Sequence, residues 1–139
     1  LFRSGCQYVN SQGQTVQGQY YPAAASTSTA LAFGYVVDDP NAVFKVVSVA
    51  NSTTTTPTAY SRAIVGSNVA LATATGSTAT GDSYYGINGA SADTTNTLPI
   101  RVIDVVPDTA TGPRDASATT YYEFLVKFNL HQYTDTTGI

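Results

Sequence analysis

Short apolar runs alternate with polar, turn-forming stretches along most of the chain. The runs are rich in Val, Ile, Tyr and Phe, and they are interrupted by Gly, Pro, Asn and Asp. No run keeps the 3.6-residue period of an amphipathic helix, so the pattern predicts β-strands joined by turns. Strands are expected at residues 2–9, 15–21, 31–37, 43–49, 60–72, 98–106 and 121–133. A turn at residues 10–13 is expected to join the first two strands, which pair with each other.

Two further pairs of these runs are expected to form hairpins. In "GYVVDDPNAVFKVV", Pro40 and Asn41 lie between two apolar runs, and Pro, Asp and Asn are typical turn residues. The runs 98–106 and 121–133 form the second predicted pair. In the last run a period of two separates a core face from a mixed face. The predicted core face consists of Tyr122, Phe124, Val126, Phe128 and Leu130.

The segment 73–97 differs from the rest, since it is mainly Thr, Ser, Ala, Gly and Asp. We expect it to be a long irregular loop. The predicted fold class is therefore all-β, an antiparallel β-barrel or β-sandwich with a long Gly/Ser/Thr-rich loop and little or no helix. A chain of 139 residues can bury one core, which predicts a single β domain over residues 1–139.

Charge and composition narrow the function classes. Only 11% of residues are charged and the net charge is −3, which argues against a nucleic-acid partner. No apolar run approaches the roughly 18 residues that span a bilayer, so no membrane partner is expected. A single Cys excludes an internal disulfide and is consistent with folding in a reducing cytosol. So few charges protect a surface poorly against association, which suggests that a partner covers part of it.

Asp104 is the most unusual polar residue, because it interrupts the apolar run "RVIDVV". A period of two predicts that Asp104 shares a face with Val102, opposite Val105. A catalytic role would require a second positioned group, and a small glycosidase would need a carboxylate such as Glu123 at a suitable distance. The alternative is an ordinary ion pair across the sheet. We interpret Asp104 as a structural carboxylate, paired with a cation from a neighbouring strand or a neighbouring subunit. No catalytic, cofactor-binding or metal-binding residues are predicted, and the protein is not expected to be an enzyme.

Other candidate residues also favour structural roles. Asp38 and Asp39 lack the alternating acidic pattern of a calcium loop and are expected in a turn. His131 has no further metal ligands beside it in sequence, and it is interpreted as a structural or subunit-contact histidine. Cys6 is expected to be a small buried residue. The ten tyrosines are expected in the core and at interfaces rather than in a sugar-binding platform, which usually contains Trp.

Four blocks of the sequence resemble a family of head decoration, or cement, proteins of tailed bacteriophages, which are encoded near the major capsid protein. The blocks are "GCQYVNSQGQTVQGQYYP" (5–22), "GYVVDDPNAVFKV" (34–46), "GSTATGDSYYGINGA" (76–90) and "PIRVIDVV … EFLVKFNLHQY" (99–133). The second and fourth blocks are the specific ones. Family members usually carry a further N-terminal stretch before the first block, so an upstream arm is expected.

The resemblance implies a β-rich virion protein, assembled in the host cytoplasm, that binds the outer surface of the capsid. Its partner would be the major capsid protein, and it would form a homotrimer at threefold or quasi-threefold positions. The family carries no catalytic residues to transfer. The alternative function is a receptor- or glycan-binding module of a phage tail fibre or surface appendage, which would share the β architecture, the polar loops and the tyrosines.

Overall fold

The computed structural model describes residues 3–22, 32–49, 57–73, 76, 85–111, 121–131 and 133–134. Internal contacts divide the chain into two compact units: unit 1 comprises Leu1–Asp38 with Gly76–Ser83, and unit 2 comprises Asp39–Thr75 with Tyr84–Ile139. Each is described separately, and the single domain stays a prediction. The described elements are β1 (Arg3–Val9), β2 (Thr15–Gly18), β3 (Phe33–Val36), β4 (Phe44–Val49), a 3₁₀ turn (Arg62–Ile64), β5 (Asn68–Ala72), β6 (Gly86–Asp93), β7 (Ile100–Thr111) and β8 (Tyr121–Phe128).

Unit 1 contains a three-stranded antiparallel sheet with β1 in its centre. The order is β2-β1-β3, and the register places Tyr8 opposite Val16. A tight turn joins β1 to β2, in which the Gly13 amide donates to the Asn10 carbonyl at 3.0 Å. Gly13 has a φ of +80°, a conformation that glycine adopts without steric cost. The predicted turn at residues 10–13 is therefore confirmed.

Unit 2 contains a closed five-stranded barrel in the order β4-β6-β5-β7-β8, with β8 pairing back to β4. Four of its strand contacts are antiparallel and one, β4 with β6, is parallel. The all-β class is confirmed, and of the two predicted architectures it is the barrel that forms. Closure satisfies the edges that an open sheet of the same strands would expose.

The barrel encloses a continuous apolar core. Every strand of the barrel contributes inward side chains, and β8 supplies the largest of them, Phe124, which is fully buried. The predicted inward face of the last strand is confirmed for Tyr122, Phe124 and Val126, whereas Leu130 lies beyond the end of β8 and is exposed. The buried core residues are Val46, Val69, Ile87, Ile100, Val102, Val105, Tyr122, Phe124 and Val126.

Two glycines of β6 allow the barrel to close. A Cβ atom on Gly86 would lie 2.8 Å from the Val47 carbonyl oxygen, so any side chain there would push β6 away from β4. A Cβ atom on Gly89 would lie 2.4 Å from the Tyr60 ring and 2.6 Å from Ser48 Oγ. These positions are typical of glycine within a strand, where another backbone or a large side chain approaches closely.

The predicted hairpin in "GYVVDDPNAVFKVV" is wrong, although its turn forms. Asp39 Oδ1 accepts a hydrogen bond from the Asn41 amide at 2.8 Å, and the Asp39 carbonyl accepts one from Ala42 at 3.1 Å. The strand before the turn, β3, pairs with β1, and the strand after it, β4, pairs with β8 and β6. Turn residues fix only the local change of direction, while strand partners are chosen by long-range packing.

Two other segments differ from the sequence expectation. Residues 60–72 were expected to be mostly strand, but Arg62–Ile64 forms a 3₁₀ turn and only Asn68–Ala72 is a strand. The expected irregular loop 73–97 contains β6 (Gly86–Asp93), which pairs with both β4 and β5. The small residues of β6 have low intrinsic β propensity, and tertiary packing overrides that preference because the barrel needs a strand with little side-chain bulk there.

We expect Phe124→Ala to destabilise the protein by about 3–5 kcal/mol, because it opens a cavity in the centre of the barrel. The free energy of unfolding would be measured by urea denaturation. Leu125→Ala is the matched control: Leu125 is the next residue of β8, points outward and is half-buried, so its truncation should cost only about 1 kcal/mol. Equal losses at the two positions would contradict the described facing of β8.

Candidate interaction surfaces

Asp104 lies on the outer wall of the barrel because β7 contains a bulge. Val102 and Asp104 pair with consecutive residues of β8, which leaves Ile103 without a partner. The bulge reverses the inward–outward alternation, so Val105 is buried while Asp104 faces outward. The sequence expectation that Asp104 shares a face with Val102, opposite Val105, is therefore wrong. A period of two cannot reveal an inserted residue.

The cation that pairs with Asp104 comes from the 3₁₀ turn. Arg62 Nη2 lies 3.3 Å from Asp104 Oδ1. Two backbone hydrogen bonds hold the segment after the turn against β7: Gly66 N to Val102 O at 2.9 Å, and Val102 N to Ser67 O at 3.0 Å. Asp104 is thus an ion-paired carboxylate, but the expected source of its cation, a neighbouring strand or subunit, is corrected to the turn that precedes β5.

The other carboxylate of the considered pair, Glu123, binds a different cation. Glu123 Oε2 lies 2.9 Å from Lys45 Nζ, across the contact between β8 and β4. Both Asp104 and Glu123 face outward and each is held by its own base. Within the residues that the structure describes, no group of three His, Cys, Asp or Glu side chains lies close enough to hold a metal ion.

The remaining candidate residues have local contacts. Asp39 caps the turn at Asn41, as expected for a turn acid. His131 Nδ1 accepts a hydrogen bond from the Tyr133 amide at 3.2 Å, and the two rings lie 5.4 Å apart. Cys6 is a free thiol in β1 and is half-buried rather than fully buried. The contacts of Asp39 and His131 are of a kind that also stabilises ordinary loops and strand ends.

The tyrosines divide between the core and the surface. Tyr122 is buried in the barrel, where its ring packs edge-on against Phe124 at 6.3 Å. Tyr8 packs against Tyr21 in unit 1, with ring centroids 5.4 Å apart. Several tyrosines expose more than two fifths of their surface: Tyr21, Tyr35, Tyr85 and Tyr133.

Unit 1 exposes apolar side chains on both faces of β3: Phe33 and Tyr35 lie on one face and Val36 on the other. We call these side chains, together with Val37 immediately after β3, the β3 surface. Phe33 is 56% exposed and Val36 is 72% exposed. The only buried residue among the described part of unit 1 is Gly5, which has no side chain. A three-stranded sheet normally needs a packed apolar face to be stable, and here the apolar side chains of β3 face solvent.

One pair of like charges lies on the outer wall of the barrel. Arg101 of β7 and Lys127 of β8 are directly opposite each other in the register. Ile103, exposed at the bulge, and Leu125, half-buried on β8, lie beside them on the same wall. We call these four residues the basic wall. Sequence reasoning missed it, because the residue separation of Arg101 and Lys127 does not reveal the strand register.

Comparison with protein-family models, with curated proteins and with solved structures finds no match for this chain. No helix in the described part of the chain is long and apolar enough to span a bilayer.

We expect Asp104→Ala to cost about 1–3 kcal/mol of stability and Asp104→Asn less than about 1 kcal/mol. Asp104 Oδ1 also accepts the Val105 amide at 2.8 Å, and alanine leaves that amide without its acceptor whereas asparagine can still accept it. The ion pair itself contributes little, because the Arg62 and Asp104 side chains are 58% and 50% exposed. Urea denaturation would measure both.

Arg62→Gln is the matched control for the ion pair. Arg62→Gln should lower the free energy of unfolding by no more than Asp104→Asn does. The variant that carries both substitutions should show an interaction energy below about 1 kcal/mol. If Asp104→Asn were as damaging as Asp104→Ala, the charge rather than the amide contact would be the main contribution of Asp104.

Proposed function

We propose that the protein is a virion structural protein that decorates the outer surface of a tailed-phage head. In this proposal it binds the major capsid protein, forms a homotrimer at threefold or quasi-threefold positions, and stabilises the shell by bridging neighbouring subunits. The four sequence blocks that resemble decoration proteins support it. The structural observation that supports it is the β3 surface, whose apolar side chains are exposed.

The character of the β3 surface suits contact between copies of one chain. The four residues of β3 include no charge and no Pro, two devices that commonly protect an edge strand from pairing with another chain. Within the described residues β3 pairs on one side only, with β1. An uncharged, partly aromatic strand can meet an equivalent surface of another copy without bringing like charges together.

Such a protein acts by holding neighbouring shell subunits together rather than by catalysing a reaction. Each copy that contacts two shell subunits opposes their separation, and binding only to the assembled shell stabilises that shell by mass action. A trimer multiplies this effect, because once one copy is bound the other two bind at high effective concentration. Individually weak contacts then suffice to hold the shell against internal pressure.

A second candidate function is a receptor- or glycan-binding module of a phage tail fibre or surface appendage. The exposed tyrosines favour it, since aromatic side chains offer contact area and a hydroxyl group to a ligand. A glycan array would separate the two proposals: competable binding to defined sugars supports the appendage module.

The first test is binding to capsids from which the decoration protein has been removed. We expect saturable binding to expanded capsids, little binding to unassembled major capsid protein, and a rise in the temperature at which the capsids break. Cosedimentation and thermal disruption would measure these. If the protein failed to bind depleted capsids of its own phage, the proposed function would be wrong.

The second test concerns the oligomer. Light scattering after size exclusion should give three times the chain mass of 14.5 kDa. Val36→Lys should weaken the trimer about tenfold or more, because it places a charge in an apolar contact, yet it should leave the melting temperature of the monomer almost unchanged since Val36 is exposed.

Leu130→Lys provides the control for this substitution. Leu130 is also an exposed apolar residue, but it belongs to unit 2 and lies after the end of β8. We expect its trimer to resemble that of the unmodified protein. A trimer that tolerates Val36→Lys as well as Leu130→Lys would exclude the β3 surface as the contact between copies.

A further inference from the structure

In the basic wall, two positive charges occupy directly opposite positions on the neighbouring strands β7 and β8. Directly opposite residues on antiparallel strands have Cβ atoms about 4.5–5.5 Å apart, and like charges at such positions are destabilising. Arg101 and Lys127 occupy one such pair on the outer wall. Arg101 is exposed and Lys127 is half-buried, so both cationic groups can reach a bound molecule.

No carboxylate compensates this pair within the part of the chain that the structure describes. The acids nearest to it on β7 and β8 bind other bases: Glu123 binds Lys45, and Asp104 binds Arg62. The next carboxylate along the ladder, Asp93, lies on the far side of Asn68, which is the register partner of both Asp93 and Arg101. Asp93 Oδ1 already accepts the amides of the two residues that follow it.

The positive charge of the wall contrasts with the charge of the whole protein. The sequence has six basic residues and a net charge of −3. Of the four bases in the described part of unit 2, Lys45 and Arg62 each bind an acid, whereas Arg101 and Lys127 face each other without a described carboxylate partner. A local positive surface on an acidic protein favours a partner that presents negative charge.

Apolar side chains adjoin the two cations. Ile103 projects from the bulge and is 41% exposed, and Leu125 lies next to it on β8. Val47 and Val43, in and immediately before β4, are also exposed. The surface therefore combines cations with apolar area, a composition that fits a protein surface carrying carboxylates among apolar residues.

We propose that the basic wall is the surface through which the protein contacts the capsid shell, and that Arg101 and Lys127 bind carboxylates presented by shell subunits. A carboxylate between the two cations replaces their repulsion with charge-assisted hydrogen bonds. The repulsion in the free protein is relieved only in the complex, which favours the bound state. This inference rests on the proposed function, since it identifies the capsid-binding side of the same protein.

The test uses the variants Arg101→Gln and Lys127→Gln. Each removes one cation from the repelling pair, so each should raise the melting temperature of the free protein, by about 1–4 °C. Each should also weaken binding to depleted capsids about two- to fivefold, and the double variant about tenfold. A purely structural role for either residue would not couple higher stability to weaker binding.

Arg3→Gln is the control, because it makes the same change in net charge on β1 of unit 1. We expect its affinity for depleted capsids to equal that of the unmodified protein. Raising the salt concentration from about 50 to about 300 mM screens exposed charges more strongly. It should therefore weaken capsid binding of the unmodified protein more than that of the double variant.

The outcomes distinguish the inference from the function on which it rests. If the unmodified protein binds depleted capsids and the double variant binds them equally well, the basic wall is not the contact and only the inference fails. If the unmodified protein does not bind them at all, the proposed function fails as well.

A change in trimer mass without a change in capsid affinity would assign the wall to contact between copies. Tight binding to duplex DNA, lost in the double variant, would assign it to nucleic acid; both results would overturn the inference.

Discussion

Closure of the barrel depends on the close approach of β6 to β4. Their parallel contact is short, with Ser48 opposite Ile87 and Val49 opposite Asn88. It forms only because Gly86 leaves space for the backbone of β4. Without this contact both strands would present open edges, and the apolar residues of the core would face solvent on that side. The largest core side chain, Phe124, is fully buried in the closed barrel.

The two units differ in how much apolar side-chain surface they bury. The barrel buries a full set of Val, Ile and Phe side chains within itself. Unit 1 has well-formed strand pairing and a well-defined turn, but its described side chains are exposed or half-buried. Hydrogen bonds between strands contribute little net stability unless apolar surface is also removed from water. That contrast is the physical reason for proposing that copies of the chain contact each other through unit 1.

The small number of charges makes the position of each one informative. In a chain with many ionic residues, two neighbouring cations on a sheet would be unremarkable. Here only six bases exist, and two of them face each other across β7 and β8. A conflict between a local rule and the fold often marks a functional surface, since the lost stability is regained on binding. The ion pairs at Asp104 and Glu123 show that the same wall can match opposite charges.

The sequence by itself determined the strand-forming character of the chain, the turn at residues 10–13, and the inward face of β8. These features depend on local chemistry: β-branched and aromatic runs, turn residues, and a period of two. The sequence also showed that Asp104 is a polar residue that interrupts an apolar strand, although it could not identify Arg62 as the partner of Asp104.

Apart from the pairs β1–β2 and β7–β8, which the sequence predicted, only the tertiary structure decided which strands pair. It separated β3 from β4, recruited the Gly-rich segment Gly86–Asp93 into the barrel, and inserted the bulge at Ile103 that turns Asp104 outward. Register and closure depend on contacts between residues far apart in sequence, and the alternation within one strand carries no information about its neighbour. The basic wall and the β3 surface arise from those long-range choices.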